Sequence, residues 1–103
     1  MNKELFKEVT DWQEATFRVI NPIGLINHLE QEVDELCQSM GMGMDEFKRH
    51  EFADCFILLM GAAKADGMSY EDICNAISEK LEINKKRTWG EPDSNGVINH
   101  IKQ

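Results

Sequence analysis

The chain has 103 residues, 42% of them apolar and 29% charged, with 19 Asp and Glu against 11 Lys and Arg and a net charge of -8. A chain of this size buries one core and leaves no material for a separate substrate lobe. The acidic balance gives no general basic field for a nucleic-acid polymer, which excludes duplex DNA or RNA as a partner; a small phosphorylated ligand stays open if clustered carboxylates hold a divalent cation.

Hydrophobic spacing predicts an all-α chain of four helices. The first runs from about Lys3 to Val19, with Leu5, Val9, Trp12, Phe17 and Ile20 near helical spacing, and Asn21-Pro22 ends it. Pro22 opens the second helix, which extends to about Met40 and carries Leu25, Leu29, Val33, Leu36 and Met40 as its expected core stripe. Gly41-Met42-Gly43 breaks the pattern, and Asp45 or a neighbour caps a third helix from Glu46 to about Ala65. Gly67 ends that helix, and Ser69 with Asp72 marks the start of a fourth, running to about Lys86. The expected division is a helical domain over residues 1–90 and a tail over 91–103. The tail begins with turn chemistry, and Val97 to Gln103 is compatible with a short helix, an arm or a frayed end.

No stretch approaches the roughly 18 uninterrupted apolar residues of a membrane span, and Met1 to Leu5 lacks the apolar core of a secretory signal, so a cytoplasmic protein with no membrane partner is expected. Cys37, Cys55 and Cys74 form no C-x-x-C pair and read as small core fillers in a reducing compartment.

Two acidic pairs carry the chemistry. On the second helix Glu32 and Glu35 lie on one flank of the stripe with His28 and Ser39, whereas Glu30 and Asp34 lie on the other. The third helix is apolar nearly all round, yet Glu51 and Asp54 fall in line with Phe47, Leu58 and Ala62 on its expected packing face. A buried carboxylate needs a counter-charge, a metal or a raised pKa. Because the connection between the two helices is short, they are expected as antiparallel neighbours whose acid pairs face each other. An all-oxygen cage suits Mg²⁺ or Mn²⁺; an ion pair to Lys or Arg is the competing account of these acids. His50-Glu51-Phe52-Ala53-Asp54 lacks the second histidine of a zinc protease, and no P-loop, G-x-S-x-G or EF-hand loop is present. On the fourth helix Lys80, Asn84 and Arg87 share a face, a kit of point charge, amide and guanidinium fork suited to phosphate oxygens, although basic residues also favour a helix C-terminus. Trp89 follows as a candidate for stacking on a base or for anchoring an interface.

In this order, His28 to Leu36, Glu51-Phe52-Ala53-Asp54, Gly67-Met68-Ser69 and the K-x-x-x-N-x-x-R-x-W run from Lys80 to Trp89 resemble the MazG-like all-α nucleoside triphosphate pyrophosphohydrolases, and within them the dATP/dGTP diphosphohydrolase-like branch. The resemblance implies a four-helix MazG-like bundle of antiparallel helices completed by oligomerisation as a homodimer or homotetramer. It implies Mg²⁺, with Mn²⁺ as a substitute, on Glu32, Glu35, Glu51 and Asp54 as metal ligands and catalytic carboxylates. Lys80, Asn84 and Arg87 would then contact the nucleotide and its phosphates, with Trp89 near the base. The implied reaction cleaves a (deoxy)nucleoside triphosphate to its monophosphate and pyrophosphate. Beyond Trp89 the chain departs from the pattern. A non-enzymatic helical interaction module accounts equally well for the composition but leaves the acids within an apolar stripe unexplained; a module that keeps the nucleotide site for regulation or for a modified nucleotide, with slow turnover, is a further alternative.

Overall fold

A computed structural model describes residues 1–102. The element order is α1 (Lys3–Phe17), α2 (Pro22–Gln38), α3 (Glu46–Ala65) and α4 (Tyr70–Lys86). Each of the first three helices starts on a side-chain cap that satisfies an otherwise orphaned backbone N–H. The Asn2 side chain accepts from Leu5 N at 2.9 Å, that of Asn21 from Ile23 N at 3.0 Å, and that of Asp45 from Lys48 N at 2.8 Å. α1 stops at Phe17, two residues earlier than the spacing predicts, because Arg18 turns the chain with φ 65°. α2 likewise stops at Gln38, and the connection beyond it bends through Gly41 and Gly43, both at positive φ.

The chain forms two compact units, Met1–Glu71 and the part from Asp72 onward. In the first, α2 packs along α3 and α1 packs on α3. Leu25 near the start of α2 meets Leu58 and Ala62 in the second half of α3, joined by Ile20 and Leu29. Glu35 near the end of α2 meets Glu51 near the start of α3. The two helices are therefore antiparallel, as the short connection requires.

α1 is fixed to α3 by polar contacts. The buried Gln13 donates from its side chain to the Ile57 carbonyl at 3.1 Å, and Lys64 pairs with Glu14 at 2.6 Å. Gly61 makes room for the Gln13 amide, which a Cβ at that position would overlap. Gly61→Ala is expected to cost about 1–3 kcal/mol, read as a lower midpoint in chemical denaturation, since the amide must leave its place or the helices must part. At the other end of the unit, Phe6 stacks tilted on Tyr70 and Lys3 pairs with Glu71 at 2.9 Å.

The second unit contains most of α4 and an irregular antiparallel turn over residues 88–101; Gln103, the last residue of the tail, lies outside the described residues. Trp89 and His100 form an isolated bridge, flanked by Gly90 N to Asn99 O at 3.0 Å and Ile101 N to Thr88 O at 2.7 Å. The Asp93 carboxylate accepts from Asn95 N and Val97 N and closes the turn. None of the described helices is long and apolar enough to cross a membrane. The cysteines depart from their expected role: Cys37 and Cys74 are exposed, and only Cys55 is partly buried.

Candidate metal and nucleotide site

The buried face of the α2–α3 pair follows positions 25, 29, 32 and 36 on α2 and 48, 51, 55, 58 and 62 on α3. Both runs step by three and four residues, the spacing of a helix stripe. Compared with the apolar pattern, each face is displaced so that polar residues enter it. Val33 and Met40, expected in the core, are exposed, and Phe47 is 68% exposed. In their place Glu32 has a side chain only 19% exposed and Lys48 is 5% exposed, while Glu51, 5% exposed, takes the packing position expected of it.

One carboxylate oxygen from each of Glu32, Glu35 and Glu51 lies within 4.8 Å of the others. Glu51 Oε2 is buried with no hydrogen-bond partner among the described residues. Three negative groups this close repel one another, and Glu51 carries the largest penalty. Burial, then the charges of Glu35, Glu32 and Asp54, push its pKa above the usual carboxylate value. Asp54 itself is exposed and stands outside the group of three, so the expected packing position on α3 belongs to Glu51 alone. Glu32 also accepts a contact from His28 Nε2 at 3.4 Å.

The donor set fits a hard divalent cation. The clustered atoms are all carboxylate oxygens, and Glu51 also carries a buried oxygen whose lone pairs have no hydrogen-bond donor among the described residues. The adjacent Cys55 sulfur is not among the clustered ligand atoms, and burial and the Glu32, Asp54 and Glu51 charges raise the pKa of its thiol.

Asn84, Arg87 and Trp89, in the second unit, are brought together locally. Arg87 Nη1 lies 3.4 Å from the Asn84 side-chain oxygen, and the Trp89 indole N–H donates to the Asn84 carbonyl at 2.9 Å. The indole meets the His100 ring edge to face at 6.1 Å between centroids. Lys80 is exposed one turn before Asn84. Lys86, Arg87 and Lys102 line a shallow cleft with His100 and Ile101, a concentration of cationic groups suited to phosphate.

Sequence reasoning missed Lys48 and His100. Lys48 was detectable in principle, because it precedes Glu51 by three residues and so shares its helix face. His100 carried no local signal, since only the turn of the tail places it beside Trp89.

Four helices with a carboxylate cluster on one antiparallel pair define a MazG-like all-α fold. Across residues 5–103 the sequence matches the dATP/dGTP pyrophosphohydrolase family, and the chain belongs to that family. It is 35% identical over 98 residues to the dATP/dGTP diphosphohydrolase of Cyanophage S-2L, covering 95% of this chain and 86% of that protein. It is also 47% identical over 53 residues to the Eaa protein of Salmonella phage P22, of whose length the match spans 17%. Among solved structures, a Cyanophage S-2L MazG-like pyrophosphohydrolase bound to dGDP and three catalytic Mn²⁺ ions per active site superposes with a TM-score of 0.79 at 33% identity, covering 97% of this chain and 92% of that one.

Proposed function

We propose that this chain hydrolyses dATP, dGTP or a close relative to the monophosphate and pyrophosphate, with Mg²⁺ or Mn²⁺ at the carboxylate cluster. The observation that carries this reading is the convergence of one oxygen from each of Glu32, Glu35 and Glu51 within 4.8 Å of one another, with Glu51 also holding a buried oxygen that has no hydrogen-bond partner among the described residues. Without a cation this arrangement only destabilises the fold. Family membership and the S-2L relatives support the substrate class.

Glu32, Glu35 and Glu51 would hold the cation, and Asp54, whose charge is felt at Glu51, would join them on loading. When bound, the ion supplies positive charge against the phosphate oxygens and makes water a better nucleophile at neutral pH. Water oxygen bonds to the α-phosphorus, the bond from that phosphorus to the bridging oxygen breaks, and pyrophosphate leaves with that oxygen. The water proton passes to the carboxylate cluster. Lys80 and Arg87 offset charge on the phosphates, Asn84 positions the Arg87 guanidinium, and Trp89 offers a face to the base. The reading includes a homodimer or homotetramer. Phe56 and Leu59 on α3 and Trp12 on α1 are exposed apolar side chains that a second copy would cover.

The test is product analysis over a panel of canonical dNTPs and NTPs with Mg²⁺ or Mn²⁺. Monophosphate and pyrophosphate in equal amounts are expected, with purine deoxynucleotides preferred. Diphosphate and inorganic phosphate, or no product at all, would refute the reading. In the same assay Arg87→Ala is expected to raise KM by about 10-fold or more, the effect of removing a charged hydrogen-bond donor to phosphate.

A further inference from the structure

Lys48 is a cation buried beside the acids without being paired to them. Its residue is 5% exposed, and its backbone N–H is taken up by the Asp45 cap. Among the described residues, no side chain is paired with its ammonium. Lys48 and Glu35 line the same open cavity of about 290 Å³, together with Gln38, Ser39, Asp45 and Phe47. Glu35 is also a member of the carboxylate cluster, so this cavity opens next to the cation position. The side chain's stem is buried and its charge is available to whatever occupies the cavity.

The electrostatics restrict the occupant. A lysine whose purpose was to neutralise the acids would be in ion-pair contact with one of them, and it is not. Once the carboxylates hold a divalent cation, a bare ammonium beside it is repelled. An anion lying across both positive groups offsets that repulsion. We infer that Lys48 is a substrate-binding residue whose ammonium contacts a non-bridging oxygen of the nucleotide triphosphate in the cavity between the end of α2 and the start of α3. This rests on the proposed function above. It assigns the phosphate chain a contact on α3 that is separate from Lys80 and Arg87 on α4 and its C-terminal extension.

The experiment compares wild type, Lys48→Met and Lys48→Arg. Mn²⁺ binding is measured by titration without nucleotide, KM and kcat with the best dNTP, and the inhibition constant with inorganic tripolyphosphate. Lys48→Met is expected to raise KM and the tripolyphosphate constant by about 10- to 100-fold, the range for a lost charged hydrogen bond. Its Mn²⁺ affinity should be equal to or above wild type, because a neighbouring positive charge has gone. Lys48→Arg should recover most of the loss. An unchanged tripolyphosphate constant in folded Lys48→Met overturns the inference while the hydrolase reading stands, and so does weakened Mn²⁺ binding with unchanged KM, which marks a purely structural lysine. Should Lys48→Met fail to fold, acetylation of wild-type lysines decides: Lys48 is expected to be protected by Mn²⁺ with tripolyphosphate and not by Mn²⁺ alone, and equal modification in both overturns the contact. A wild type that binds Mn²⁺ but hydrolyses no dNTP sinks the proposed function and this inference together.

Discussion

Glu51→Gln is expected to reduce pyrophosphate release by at least about 100- to 1,000-fold, the scale for removing one electrostatic element of an active site, and at the same time to raise the melting temperature of the metal-free protein. Both effects arise from one carboxylate. Glu51 Oε2 is buried without a partner, and the group sits against Glu35 and Glu32 with Asp54 nearby. The amide of Gln keeps the shape, abolishes the charge and lets an N–H₂ group donate to a facing carboxylate, so the empty site relaxes. The cation then loses an anionic ligand. Rate measurements on wild type and variant, paired with melting curves in chelator, give the result. A variant that is as active as wild type, or that melts lower in chelator, would show that Glu51 is an ordinary structural acid.

Mn²⁺ or Mg²⁺ is expected to raise the wild-type melting temperature strongly, and more at pH 8 than at pH 5. A ligand at about 100 times its dissociation constant adds about 2.7 kcal/mol to folding, and about 1 kcal/mol moves the midpoint of a domain this small by roughly 4–8 °C. The pH dependence has a definite sign. The Glu51 pKa in the folded protein lies above the ordinary 4.5 because of burial and its acidic neighbours. Its contribution to stability is therefore intact below that ordinary value and is lost as pH rises from there through the folded-state value. The metal-free protein weakens over this window, while the ionised cluster becomes available to the cation. Melting curves at several pH values, with chelator or with metal, measure both trends. A metal effect that shrank as pH rose would contradict the assigned ligands.

The four helices were legible in the sequence because their punctuation is local. Asn21-Pro22, Asp45 and Gly67 act within a turn of themselves, and the α3 limits, Glu46 and Ala65, agree with expectation. The rotation of the helices was less legible. Glu51, Leu58 and Ala62 face inward as expected, but a search for apolar spacing also selects Val33 and Phe47, whereas the folded pair turns Glu32 and Lys48 inward and leaves Val33 and Phe47 at the surface. Where the buried face carries Glu32 and Lys48, an apolar search expects no charge and selects the adjacent residue. The Glu32, Glu35 and Glu51 grouping survived that error because all three carboxylates are long enough to converge on one point from slightly different angles. Asp54, with a shorter side chain, did not. The Trp89–His100 contact was not legible, because it depends on a turn rather than on periodicity.

The α2–α3 pair is fastened unevenly. Leu25, Leu58 and Ala62 close one end with apolar contact, and the other end brings like charges together beside the single buried Leu36. Such a pair behaves as tweezers with the pivot at the apolar end, since local opening is easiest where burial contributes least. Amides around Leu58 to Ala62 should exchange with deuterium slowest in the metal-free protein, and those around Lys48 to Phe52 faster. The ion would then act as the clasp that closes the jaws, so that the same event that equips the chain for chemistry also stiffens it.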